Sequence, residues 1–201
     1  MIKLQVIFYS MFGHIHKMAE AIAKGASEVN DVSVEIFRVP ELVPDEILIQ
    51  SGAKEAQKLF ETIPVLKVEQ MMNADAYIFG TPTRFGSMCS QMRNLLDQLS
   101  NFAFAGKVGG VFTSTAAQHG QDKTITSFQS ALVHLGMIVT GIPHAEKCVA
   151  SQPSYAASLT ADSKQMPSEN ALAIARDHGK HIAEVARALK NGRLYYEGQN
   201  G

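Results

Sequence analysis

The sequence predicts an α/β protein: a doubly wound, five-stranded parallel sheet with helices on both faces. Three observations predict it. Apolar, strand-like runs alternate with segments of helical periodicity along nearly the whole chain, and that alternation makes parallel sheets covered on both sides. Two of the runs, Leu4–Tyr9 and Ala76–Gly80, lead directly into short loops, Ser10–Ile15 and Thr81–Gly86, which open helical segments. A third loop, Ser114–Gly120, follows the run Lys107–Thr113 in the same way. Loops at the carboxyl ends of parallel strands are where such folds bind ligands.

The elements follow in order. Leu4–Tyr9 reads as a buried strand, and Ile15, Met18, Ala19, Ile22, Ala26 and Val29 form a helical stripe after it. Val32–Val39 alternates Val32, Val34 and Ile36 with polar residues, giving a strand with one wetter face. Pro40 and Pro44 punctuate a loop, and residues 45–74 form an irregular, partly helical connection. Ala76–Gly80 is the third strand, and Met88, Met92, Leu95, Leu96 and Leu99 make the next helix face. Lys107–Thr113 is the fourth strand; Ile125, Phe128, Leu132 and Leu135 form a helix stripe; Met137–Ile142 is the fifth strand. Residues 145–166 are polar without clear period, and Pro167-Ser168 announces a last helix carrying Leu172, Ala175, Gly179, Ile182, Val185 and Leu189 on one face. From Asn191 a frayed, flexible tail is expected. Five strands fit the flavodoxin-like order 2-1-3-4-5, in which strands 1 and 3 are neighbours and the crevice between them is the topological switch point. All three loops then converge on one place.

Composition bounds the function. A chain of 201 residues with 46% hydrophobic content fits one large domain spanning 1–201. Net charge is −1, with acids and bases mixed along the chain, so neither a nucleic-acid tail nor a polybasic membrane patch is expected. No apolar run approaches the roughly 20 residues of a membrane span. The start is strand-like rather than signal-like, and the two cysteines, Cys89 and Cys148, have no metal-ligand spacing. A reduced, cytoplasmic protein is the expectation.

The loops specify ligand chemistry. Ser10, Met11, Phe12, Gly13, His14 and Ile15 offer a hydroxyl, a glycine and the N–H groups of a new helix, with no lysine or arginine. That suits one phosphate held by backbone donors and the helix dipole; the plain alternative is a strand-to-helix turn capped by Ser10. The loop is neither a G-x-G-x-x-G fingerprint nor a P-loop. Thr81, Pro82, Thr83, Arg84, Phe85 and Gly86 offer flat backbone, an aromatic ring and a guanidinium, which suits a planar ring system. Arg84 reads either as part of that surface or as a salt-bridge partner. His134, near the end of the helix carrying the Ile125–Leu135 stripe, reads equally as a structural or a catalytic histidine. His178 and His181, three apart on one helix, have no third ligand and read as surface residues. Cys89 reads as packing.

These residues resemble the WrbA-type flavodoxin-like NAD(P)H:quinone oxidoreductases, the tryptophan-repressor-binding protein family. The matching segments are Tyr9–Ile15, Phe79–Gly86, Gln91–Arg93 with Leu96–Gln98, Ser114-Thr115, Thr124–Ser127, His134 with Gly136-Met137, and Pro167-Ser168 with Ile174–Arg176. They run in order over nearly the whole chain. The resemblance implies non-covalent FMN, two-electron reduction of quinones by NADH or NADPH, and a homotetramer. It implies that Ser10–Ile15 holds the FMN phosphate and that Pro82, Thr83, Arg84, Phe85 and Gly86 contact the flavin and ribityl chain. Ser114, Thr115, Ala116, Ala117, Gln118 and His119 would cover the pyrimidine side. His134 and Phe85 would border the pocket where hydride donor and quinone take turns, with His134 the first candidate proton donor and His119 the second.

The chain departs from the family pattern at four places. Ala116–His119 stands where the family loop is often glycine-rich. Phe12 stands where many members carry tyrosine. No tryptophan follows Gln98, which leaves Phe102 or Phe104 to roof the pocket. Ser154–Ser158 replaces a glycine-containing segment. Two other functions fit the same fold: a flavodoxin-type one-electron carrier, which usually needs a strongly acidic docking face, and an FMN-less binding or regulatory protein.

Overall fold

The computed structural model describes residues 1–99, 104–115, 120–142, 157–160 and 166–199. Its centre is a parallel sheet of β1 (Ile2–Phe8), β2 (Val32–Arg38), β3 (Ala76–Pro82), β4 (Val108–Thr115) and β5 (Ile138–Val139), in the order β2-β1-β3-β4-β5. Phe8 lies opposite Gly80, and Pro82 opposite Ser114, so the carboxyl ends of β1, β3 and β4 share one edge. The order is the one the βα alternation predicts.

The fifth strand differs. Only Ile138 and Val139 pair, with Val108 and Gly109 at the start of β4. The second half of the same edge is filled by β6 (Ala157–Thr160), parallel to Phe112–Thr115. One strand position is therefore built from two separate segments, where the sequence predicts a single strand over Met137–Ile142. The second segment lies inside the stretch that reads as aperiodic, because four residues are too few to show a period.

Successive strand residues point to opposite faces, and the two faces carry two cores. Val6, Phe8, Ala76 and Ile78 pack with α1 (His14–Ala26) and α6 (Glu169–Gln199). Ile7, Tyr9, Tyr77 and Phe79 pack with α4 (Ser90–Leu96) and α5 (Gln121–His134). On the first face the helices touch backbone to backbone: a Cβ on Gly179 would lie 2.0 Å from the Ile22 carbonyl oxygen. That face also buries His178 completely, against the expectation that it lies on the surface. The His178 side of α6 is pressed onto β4 beside Gly110, and burial, followed by the charge of His181, pushes the imidazole down to about 3. The helix continues past Asn191 to Gln199, beyond the expected end.

The connection between β2 and β3 holds α2 (Asp45–Ser51), α3 (Ala53–Gln57) and two 3-10 turns, Lys58–Phe60 and Val68–Asn73. Phe60 anchors it by an edge-on contact with Phe8 at 5.8 Å and a tilted one with His16 at 4.9 Å.

Candidate functional site

The first loop leaves β1 at Phe8 and turns sharply. Tyr9 N–H donates to the Gly80 carbonyl at 3.0 Å, tying the loop's start to β3. Ser10, 3% exposed, accepts from Gly13 N–H at 3.1 Å through its Oγ. Gly13 has φ +92°, a conformation that glycine adopts without steric cost. From there α1 begins with no acidic residue in its first turn. The opening N–H groups of a helix have no acceptor within it, and the helix dipole makes the same end electropositive. A Cβ on Gly13 would find Met166 Cε at 3.5 Å and Leu59 Cδ1 at 3.8 Å, so those side chains stand beside the turn. Ser10, Gly13, His14 and Ile15 are buried, while Met11 and Phe12 are half-buried.

The second loop is strained. Arg84 N–H donates to the Ser87 carbonyl at 2.8 Å, and Ser87 N–H returns to the Arg84 carbonyl at 3.0 Å. The two residues between them, Phe85 and Gly86, both have positive φ, 52° and 75°. That pair matches a type I′ turn, which favours Asn-Gly; a bulky aromatic at its first position costs on the order of 1–3 kcal/mol. Phe85 is also 94% exposed. Arg84 makes no ion pair among the described residues, and its guanidinium lies 4.9 Å from the centre of the Phe85 ring. The chain thus holds an aromatic face and a planar cation in the open on an unfavourable backbone.

The loops meet. Thr83 N–H donates to the Ser114 carbonyl at 2.9 Å. Thr83 Oγ1 lies 3.3 Å from both Thr113 Oγ1 and Thr124 Oγ1. Thr113 donates to the Thr81 carbonyl at 2.7 Å and Thr124 to the Gly120 carbonyl at 2.9 Å. A Cβ on Gly120 would sit 3.3 Å from Thr83 Cγ2, and one on Gly86 3.3 Å from Lys123. Four threonines therefore lock the Thr81–Gly86 loop to the end of β4 and the start of α5. Cys89 N–H donates to Thr81 Oγ1 at 3.0 Å, and burial pushes the Cys89 thiol up, so it packs as expected.

The carboxyl edge gathers Ser10–Ile15, Pro82–Gly86, Ser114 and Thr115. Ala116, Ala117, Gln118 and His119 lie outside the described residues, as does Phe102. Phe104 is buried in the core, edge-on to Tyr77 at 5.2 Å, and cannot roof a pocket. His134 is the last residue of α5. The helix starts beside Thr83 and runs back along the sheet, and its 14 residues carry His134 about 20 Å away. It arrives at the opposite edge, where Gly106 N–H meets the Gly136 carbonyl at 2.8 Å and β5 pairs with the start of β4. There it is exposed and lines a cavity of about 330 Å³ with Arg93, Leu96, Ala131 and Leu135. Within one chain, His134 and Phe85 do not border a common pocket.

The donor set suits a phosphorylated flavin. A helix start with a curled glycine turn and no acid in its first turn suits one phosphate, and an exposed aromatic beside backbone amides suits a flat ring. Sequence reasoning missed Glu41, whose carboxylate sits at the same edge after β2 and binds Tyr9, Gln57 and Gln91. Its one signal is an acid placed between Pro40 and Pro44 at a strand's carboxyl end.

A family model described as NADPH-dependent FMN reductase matches residues 12–150. The NAD(P)H dehydrogenase (quinone) of Aromatoleum aromaticum is 52% identical over 204 residues, covering 95% of this chain and 99% of that protein. The protein of the same name from Methanosarcina acetivorans is 47% identical, covering 94% of this chain and 99% of its own length. Among solved structures, a WrbA-like flavodoxin from Agrobacterium tumefaciens is similar with a TM-score of 0.61 at 24% identity, covering 94% of this chain and 99% of that one.

Proposed function

The chain belongs to the NADPH-dependent FMN reductase family, and from that premise we propose that it is an FMN-dependent NAD(P)H:quinone oxidoreductase. It reduces quinones to hydroquinones by two electrons. The observation that carries the reading is the convergence, on one sheet edge, of a helix-start phosphate cradle at Ser10–Ile15 with the strained, exposed Arg84-Phe85 turn. A backbone held in an unfavourable conformation to expose an aromatic ring is a feature of binding sites.

FMN, when bound, supplies the hydride-accepting and electron-donating chemistry. The chain's own residues bind and orient. Ser10 Oγ fixes the turn at Gly13, so that the first N–H groups of α1 and the α1 dipole face the phosphate. Thr83, held by Thr113 and Thr124, sets the height of the Thr81–Gly86 loop against the ring. Phe85 and Arg84 form the edge against which NAD(P)H and quinone are placed. In this reading the two substrates occupy the same face in turn, in a ping-pong order. The working form is a cytoplasmic homotetramer, and a neighbouring copy brings its His134 to the pocket, since the chain's own His134 is at the far edge.

Titration of the apo-protein with FMN and with FAD, followed by NADH- and NADPH-driven quinone reduction, tests the reading. Tight FMN binding, weaker FAD binding and quinone turnover are expected, because one phosphate cradle is built and no second one is seen among the described residues. Equal affinity for FMN and FAD, or FMN binding without quinone turnover, overturns it.

A further inference from the structure

The Glu41 carboxylate collects donors from four places. Leu42 and Val43 N–H each donate to Oε1 at 2.9 Å, and Gln91 Nε2 reaches the same oxygen at 2.9 Å. Gln57 Nε2 donates to Oε2 at 2.7 Å. Tyr9 OH lies 3.1 Å from one oxygen and 3.0 Å from the other. A carboxylate has about four lone-pair sites, so five donors saturate it. It has no capacity left to accept a substrate proton or to ligate a metal. Burial pushes its carboxyl up, but the bonds from Val43, Gln91, Gln57 and Tyr9 outweigh burial and hold it below the ordinary carboxylate range. Its charge in turn adds to burial in pushing the Tyr9 phenol well above its ordinary value.

The donors are the informative part. Tyr9 directly precedes Ser10, the first residue of the phosphate cradle. Gln91 is in the first turn of α4, the helix that follows the Phe85 turn, and is 4% exposed. Gln57 closes α3, just before Leu59, whose side chain stands beside Gly13. Glu41 thus joins the cradle, the ring-contacting loop's helix and the segment flanking the cradle, without itself facing the ligand.

We propose that Glu41 is a positioning residue of the FMN site, a clamp that holds the Ser10–Ile15 cradle in register with α3 and α4; the proposal rests on the FMN reading above. Chemistry selects glutamate over its isostere. Every partner donates, and a glutamine would bring an NH2 group against one of them. The amide of Gln91 is oriented for this role, since its Oε1 accepts from Ser90 Oγ at 3.1 Å while its nitrogen faces Glu41.

The test titrates apo-protein with FMN, reading quenching of flavin fluorescence, and measures the melting temperature of each apo-variant. Glu41→Gln is expected to raise the FMN dissociation constant about tenfold, the size of one lost hydrogen bond to a charged group. Tyr9→Phe, which keeps the buried ring and removes the single bond to the cradle's neighbour, should raise the constant about threefold and provides the answer if Glu41→Gln does not fold. A lowered melting temperature with wild-type FMN affinity in Glu41→Gln and Tyr9→Phe means that Glu41 only supports the fold, and overturns the proposal. Wild-type protein that fails to bind FMN overturns the functional reading, and the clamp with it.

Discussion

At its amino edge the sheet closes on side-chain ion pairs and cation contacts, whereas at its carboxyl edge the loops present a helix start and an exposed aromatic ring. Asp75, just before β3, accepts from Lys3 N–H at 2.9 Å and from Lys190 Nζ at 2.9 Å through its carboxylate, and its own N–H meets the Lys3 carbonyl at 2.8 Å. Nearby, Lys107 Nζ donates to the Met72 carbonyl at 2.9 Å and lies 5.5 Å from the Tyr77 ring centre. Positive-φ turns occur at both edges, Asp31, Gly106 and Gly136 at this one and Gly13, Gly86 and Gly120 at the other, but only at the other does a bulky aromatic, Phe85, adopt a conformation that suits glycine or asparagine better. Both edges belong to the same strands, so strand sequence does not make the difference. What differs is whether the loops satisfy themselves or leave helix starts and an aromatic face for a ligand. The strained, exposed Phe85 beside a helix start at one edge, against saturated contacts at the other, marks the candidate site without reference to any motif.

The largest expected effect breaks the open edge. Gly13→Asp places a side chain at φ +92°, which costs about 1–2 kcal/mol for an L-residue, and sets a carboxylate beside the phosphate cradle. FMN affinity should fall by at least about 100-fold, measured by titration of the apo-protein. A variant that keeps wild-type affinity removes the cradle from Ser10–Ile15.

A smaller effect sharpens the contrast from the closed edge. Asp75→Asn loses the ion pair with Lys190. Both side chains are about a third exposed, 30% and 38%, so screening limits the loss to about 1 kcal/mol in urea unfolding. FMN affinity should stay at the wild-type value, because no cradle residue touches Asp75. The pH dependence has a definite sign. Burial pushes the Asp75 carboxyl up, but Lys3 N–H and Lys190 outweigh it and hold the group below its ordinary 3.8. A group whose folded value is depressed stabilises the fold above that ordinary value and loses this contribution as pH falls through the folded one. Acid unfolding of the wild type should therefore include a component below about pH 3.8 that Asp75→Asn lacks. An FMN affinity that falls with Asp75→Asn would show the two edges to be coupled.

Much of the fold was legible because it is local. The βα alternation predicts the order 2-1-3-4-5, and the loops after strands 1, 3 and 4 follow from it. The split fifth strand was not legible: β6 gets its conformation from pairing with Phe112–Thr115 of β4, and four residues do not advertise that. His178 read as a surface residue because its spacing from His181 shows a shared helix side but not which side meets β4. At the candidate site the turn at Ser10 and Gly13 could be read from the residue types it needs, whereas the strain at Phe85 could not, since its positive φ favours asparagine or glycine. Glu41 could not, since its partners Tyr9, Gln57 and Gln91 lie 32, 16 and 50 residues away. No periodicity or spacing rule connects such residues; only the parallel order of β2, β1 and β3 brings them together.

The smallest expected effect concerns His134, the one candidate site residue among those described that the fold carries to the closed edge. Its imidazole is separated from Thr83 by the length of α5, about 20 Å, so no contact with FMN is available inside one chain. His134→Ala should leave the FMN dissociation constant unchanged. A reduced quinone gains charge on its carbonyl oxygens, and a positioned acid typically contributes 10²–10⁴-fold in a closed site. An open pocket admits water as the proton source, so a neighbouring copy's His134 should be worth only about threefold. That effect should fall on the quinone half-reaction and leave the hydride half-reaction untouched, as stopped-flow measurement of the two steps would read. It should also vanish on dilution to monomers, checked by light scattering at the same concentrations. A threefold loss that persists in the monomer would mean that the distance along α5 does not separate the two edges functionally. No loss at any concentration would assign His134 to the closed edge alone, lining its cavity beside Arg93 and Leu96.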